Sequence, residues 1–99
     1  MRDGCFEWDD GKARLNLANH KIDFEDGKLV FQDPGFVDDD DDTMDYSEDR
    51  YRRYRAVGMV NGRLIAVFYT MRENRIRIIS ARFATRKECN EYVRQNPRS

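Results

Sequence analysis

The sequence predicts an α+β domain, with N-terminal helices and a C-terminal helix packed on an antiparallel β-meander. Three observations carry that expectation. Apolar residues change from helical spacing in the first third of the chain to a period of two between Tyr54 and Phe83. The pair Asn61-Gly62, suited to a type I′ turn, separates two runs rich in Val, Ile, Phe and Tyr. Thr85 and Glu88 then form a Thr-x-x-Glu capping box ahead of the last helical stretch.

Taken in order, Asp9 reads as the N-cap of a helix reaching about His20. Ala13, Leu17 and His20 share one face, with Leu15 and Ala18 beside it, while Lys12, Asn16 and Asn19 form an adjoining polar flank. Asp23 caps a short helix through Leu29, Val30 and Phe31, which stops before Pro34-Gly35. Residues 38–49, opening with five consecutive aspartates, read as a self-repelling, solvated and disordered connecting loop; the sharper alternative is an internal polyanion that shields the arginine face or repels the wrong nucleic acid. Tyr54 to Val60, Leu64 to Thr70 and Arg75 to Phe83 read as strands, the last two joined by a turn at Arg72-Glu73-Asn74. The final helix presents Cys89, Tyr92 and Val93 inward and frays by Pro97. One sheet face is then covered and the other open.

The chain has 99 residues, 39% hydrophobic and 37% charged, which suits one domain spanning residues 1–99. The net charge of −1 conceals a split: residues 1–49 hold 5 Lys/Arg against 16 Asp/Glu, and residues 50–99 hold 13 against 3. Twelve of those 13 cations are arginines, whose fixed fork matches phosphate oxygens. A nucleic-acid partner is the expectation. No apolar run reaches membrane-spanning length, and the opening residues lack the apolar stretch of a signal peptide. Cys5 and Cys89 match no metal or redox spacing, so two free, buried thiols in a reducing cytoplasm are expected. A Gly-rich phosphate loop, a nucleophile elbow, a Cys/His metal cluster and a calcium loop are all missing, and no cofactor or metal is expected.

On the third strand, strict alternation points Arg75, Arg77, Ile79, Ala81 and Phe83 one way, and Ile76, Ile78, Ser80 and Arg82 the other. Neither face is purely apolar. Arg53 and Arg55 share one side of the first strand, so four or five guanidinium groups can converge. Preorganised cations of this kind stabilise the charge of a phosphorane-like transition state. RNA carries its own nucleophile, the 2′-hydroxyl, and needs only a base and an acid besides. His20 is the sole histidine, the side-chain type that titrates near neutral pH. Lys12 and Asn16 precede it by two turns and one, and Tyr54 and Tyr69 are alternative proton donors or stacking platforms. Each of these also has an ordinary structural reading.

Several segments together resemble the BrnT family of toxins from type II toxin–antitoxin modules. Phe6-Glu7-Trp8-Asp9, followed by Lys12, Asn16, His20 and Phe24, is similar to that family's start. Arg53-Tyr54-Arg55-Ala56-Val57-Gly58 is similar to its Arg-aromatic-x-x-aliphatic-Gly strand. Arg75 through Arg82, with Ala84-Thr85, Glu88 and Tyr92 after it, resembles its most distinctive segment. The likeness spans roughly residues 5–93. It implies a RelE-like fold and a ribonuclease that cuts mRNA or rRNA and arrests translation. It also implies a BrnA-like antitoxin that neutralises the toxin and reaches promoter DNA through its own DNA-binding part. Carried over by position, Lys12, His20, Arg53, Ser80 and Arg82 are the catalytic candidates. Trp8, Asn16, Arg55, Tyr69, Arg75, Arg77 and Arg86 are the RNA-binding candidates. Lys21 stands where a glycine usually follows the histidine, Arg52 where an acidic residue is common, and Phe83 where a second basic residue often follows Arg82. The alternative function is a non-catalytic module that binds the antitoxin and tunes promoter occupancy.

Overall fold

The computed structural model describes residues 2, 3, 5–40 and 52–97, with the backbone alone for residues 2 and 3. Its elements are β1 (Arg2–Asp3), β2 (Phe6–Glu7), α1 (Asp10–His20), α2 (Phe24–Leu29) continued by a 3-10 turn at Val30–Gln32, β3 (Val37–Asp40), β4 (Arg53–Val60), β5 (Arg63–Arg72), β6 (Arg75–Phe83) and α3 (Arg86–Gln95). The strands form one mixed sheet in the order β1-β2-β6-β5-β4-β3. Among the described strands, β2 and β6 run parallel and the other pairs are antiparallel. The expected α+β class and the meander of β4, β5 and β6 are present.

Local chemistry explains the turns. Asn61 and Gly62 both take positive φ (52° and 81°), the type I′ geometry that matches the twist of paired strands. Glu73 and Asn74 do the same between β5 and β6 (51° and 65°). Gly58 is required by close packing: a Cβ there would meet the Val30 carbonyl oxygen at 2.8 Å, so β4 and the 3-10 turn touch only because the side chain is absent. Phe24, Val30, Val67 and Ile78 are the largest fully buried side chains. They lie between α2 and one sheet face, where the position of Gly27 brings α2 against Val67, Ala81 and Ile78.

Four expectations are corrected. First, α1 does not bury its leucines: Leu15 is 63% exposed and Leu17 47%, while Asn16 from the polar flank is the buried residue. Its amide donates to the carbonyls of Ala81 (2.8 Å) and Ile22 (3.0 Å) and accepts from the Ala81 N–H (3.0 Å). Because β2 pairs with β6 only at Ile76 and Arg77, the Asn16 amide stands in for a missing strand further along that edge. Second, Asp38–Asp40 is not loop but the outer part of β3, which pairs with Tyr54–Ala56. Asp39 sits directly across from Arg55, so the charges attract across the ladder. The remainder of the expected acidic loop, residues 41–49, lies outside the described residues. Third, Val93 is 61% exposed, and the buried residue of α3 is Glu88. Fourth, Cys5 is exposed and Cys89 half-buried, both free.

The capping box of α3 is formed as the sequence predicts: the Thr85 hydroxyl accepts from the Glu88 N–H, and the Glu88 carboxylate accepts from the Thr85 N–H. Further on, the Tyr92 hydroxyl donates to Asp33 (2.6 Å), whose carboxylate also accepts from the Met59 N–H (2.8 Å). That hydrogen bond, with burial and the Asp33 charge, pushes the Tyr92 phenol up to about 12. The network ties α3 to the segment that follows the 3-10 turn.

Candidate nucleic-acid interface

Side chains of directly paired strand residues emerge on the same face. The register therefore builds three rows on the face opposite α2. Arg53, Thr70, Arg77 and Glu7 form the first, Asp39, Arg55, Phe68 and Ser80 the second, and Val37, Val57, Ala66 and Arg82 the third. Arg72 and Arg75 pair beyond the first row, towards the hairpin.

The rows align only because β6 is irregular. Phe68 pairs with Ser80 and Tyr69 with Ile78, which leaves Ile79 as a bulge without a partner on β5. Strict alternation would send Arg82 to the face opposite Arg75 and Arg77. The extra residue reverses the phase, so Arg75, Arg77, Ser80 and Arg82 all point one way. This corrects the facing expected from the sequence, and it gathers arginines that alternation would have separated.

Carboxylates interleave with these cations. Asp39 accepts from Arg55 Nη2 through both oxygens (3.1 and 3.0 Å), and Glu7 accepts from Arg77 Nη1 (3.1 Å). Glu88 grips Arg82 through two hydrogen bonds (2.7 and 3.0 Å) and lies 3.5 Å from Arg55 Nη1. The Arg82 guanidinium carbon stands 5.0 Å from the centre of the Phe68 ring. Burial pushes the Glu88 carboxyl up, but the hydrogen bonds from Arg82 and Thr85 and the charges of Arg82 and Arg55 outweigh it and hold the carboxyl below its usual range. A cleft of about 500 Å³ opens between α3 and the sheet, lined among others by Arg55, Arg82, Thr85, Lys87, Glu88 and Tyr92. The face expected to be open is thus partly roofed by α3.

Residues 8–88 match the family model described as the ribonuclease toxin, BrnT, of type II toxin–antitoxin systems. The chain belongs to the BrnT family. No individual curated protein matches it. Membership in the BrnT family implies an antitoxin partner and an RNA substrate. Among the described residues, no helix is long and apolar enough to cross a membrane, and no group of three or more His, Cys, Asp or Glu is placed to hold a metal ion.

The residues singled out from the sequence divide into three groups in this BrnT domain. Arg53, Arg55, Arg75, Arg77, Ser80 and Arg82 share the arginine face. Lys12 and His20 are exposed on α1, and Arg86 is exposed at the start of α3. Among the described residues, no hydrogen bond or ion pair links Lys12 or His20 to the arginines. Trp8, Asn16 and Tyr69 are buried, so their side chains face the interior and not a surface ligand. Trp8 meets the Phe24 ring edge-on at 5.9 Å. Tyr69 donates to Asp38 (3.2 Å), and burial together with the Asp38 charge raises its pKa, which keeps it protonated.

The departures from the family pattern have local accounts. Lys21 caps α1 in the left-handed region (φ 64°), a conformation that suits the glycine usual there. Arg63 stands 5.6 Å over the ring of Phe83, bringing a cation to the place where the family often has one in sequence. Arg52 lies 3.8 Å from Asp40.

Glu88, Asp39, Glu7 and Phe68 were not read as site residues. The capping box concealed the second role of Glu88, since one carboxylate serves both helix start and arginines. The mixed polarity of both faces under strict alternation was the available sign of the bulge.

Proposed function

We propose that this BrnT-family chain is a metal-independent endoribonuclease that cuts mRNA or rRNA to inhibit translation. A BrnA-like antitoxin neutralises it and connects it indirectly to promoter DNA. The observation that carries the reading is the bulge at Ile79, which unites Arg77, Ser80 and Arg82 with Arg53 and Arg55 on one face. The RelE-like reading of the fold rests on the family resemblance.

In the proposed reaction, the RNA 2′-oxygen bonds to the adjacent phosphorus and the bond from phosphorus to the 5′-oxygen breaks. A base takes the 2′-hydroxyl proton, and an acid supplies a proton to the leaving 5′-oxygen. The products are a 2′,3′-cyclic phosphate and a 5′-hydroxyl. Arg53 and Arg82 stabilise the charge that builds on the phosphate oxygens, and the Ser80 hydroxyl donates a hydrogen bond to one of them. His20 and Lys12 share the two proton transfers, one as the base towards the 2′-hydroxyl and the other as the acid towards the leaving 5′-oxygen. Both stand on α1, which packs against β6. Arg55, Arg75, Arg77 and Arg86 hold flanking phosphates. Trp8, Asn16 and Tyr69 serve the scaffold.

The purified chain, given an end-labelled single-stranded RNA in EDTA, is expected to yield fragments with those two kinds of end. Loss of cleavage in EDTA that Mg²⁺ restores would contradict the metal-free chemistry. One observation favours the second reading, a non-catalytic antitoxin-binding module contributing to promoter autoregulation: Arg55, Arg77 and Arg82 each already hold a carboxylate of their own chain. That reading predicts tight antitoxin binding and no RNA products at any protein concentration.

A further inference from the structure

Glu88 is a charged residue 7% exposed, and both of its oxygens are engaged. Oε1 accepts from Arg82 Nη1 (2.7 Å) and from the Thr85 N–H (2.8 Å). Oε2 accepts from Arg82 Nη2 (3.0 Å) and lies 3.5 Å from Arg55 Nη1. The carboxylate therefore holds Arg82 end-on, through its two terminal nitrogens. Arg82 Nη1 also donates to the Phe83 carbonyl (3.2 Å). These bonds use three of the five N–H donors that a guanidinium carries. The two left over are Nε–H and one hydrogen of Nη2, which lie side by side on one edge of the planar group. That edge is the second fork of an arginine, and it matches two oxygens of one phosphate. The same guanidinium lies over the Phe68 ring.

We infer that Glu88 is a positioning residue for the ribonuclease reaction: it fixes Arg82 so that the Nε/Nη2 edge is presented to an RNA phosphate. The inference rests on the RNA-cleaving reading above. Glu88 costs the face some positive charge, and in return Arg82 does not have to be ordered when RNA binds. Charge and position thus make opposite forecasts for Glu88→Gln. Removing a negative charge beside two arginines favours ground-state RNA binding. Loosening Arg82 lowers turnover, because a misplacement of about 1 Å can cost about 100-fold. Glutamine still offers an oxygen to the Thr85 N–H, so the start of α3 is kept.

The experiment measures kcat and KM on single-stranded RNA for the parent, Glu88→Gln, Arg82→Ala and the two changes combined, with rates expressed per folded molecule. The expected result is a kcat about 100-fold lower for Glu88→Gln, with KM unchanged or lower. Adding Glu88→Gln to Arg82→Ala then costs almost nothing more, since residues acting as a unit are not additive. A parental kcat for Glu88→Gln overturns the inference, as does the same loss in both backgrounds. If Glu88→Gln does not fold, Arg82→Lys carries the test: it keeps the charge but lacks the fork, and a parental kcat for it overturns the inference equally. Parental cleavage by Arg82→Ala is a different failure, since it removes Arg82 from the site and takes the proposed function's assignment with it.

Discussion

Replacing Arg53 and Arg82 together by alanine is expected to slow single-turnover RNA cleavage by about 1000-fold or more. Removing one preorganised donor from a developing oxyanion costs about 100- to 1000-fold. The two arginines occupy the first and third rows of one face, so both act on the same strand of RNA only if the Ile79 bulge is present. The Arg82 change also leaves Glu88 with Arg55 as its remaining arginine, so the folded fraction is measured by circular dichroism alongside the rate. Cleavage within tenfold of the parent by a folded double variant would remove both residues from the reaction.

Asn16→Ala is expected to act on stability, not on RNA. The substitution orphans the N–H and carbonyl of Ala81 and the carbonyl of Ile22, all next to a buried side chain. Each unsatisfied buried group costs about 1–3 kcal/mol, so with three groups a loss of at least about 3 kcal/mol is the forecast. For a domain whose total stability is about 5–15 kcal/mol, that is a large fraction. Urea unfolding measures it directly. An RNA-binding role for Asn16 predicts the opposite pattern: an unchanged urea midpoint and weaker RNA affinity.

The elements legible in the sequence were those fixed by local chemistry. Asn61-Gly62 set its turn because both residues tolerate positive φ, and Thr85 with Glu88 announced the start of α3 by cap spacing. What escaped were features decided by tertiary partners. Phe6–Glu7 is too short to show a period and becomes a strand only because the β6 edge is available. Asp38–Asp40 has the composition of a loop and becomes β3 because β4 offers a ladder with Arg55 opposite Asp39. In α1 the leucines fall on both sides of the helix, so spacing could not identify the inward face, and an amide that satisfies the β6 edge took the buried position. For the site, arginine content and family motifs were readable, but their convergence was not. It depends on one bulged isoleucine that fits either alternation equally well.

Ribonuclease activity that depends on the arginine face is open to a direct test in cells. The measurement is growth after tightly controlled induction of the chain alone, beside the Arg53→Ala, Arg82→Ala variant, with total RNA followed over time. Growth arrest and RNA loss with the parent, and neither with the variant at equal folded level, are expected of a ribonuclease that works through these arginines. Continued growth with intact RNA while the folded parent accumulates would contradict that activity and leave the non-catalytic, antitoxin-binding reading.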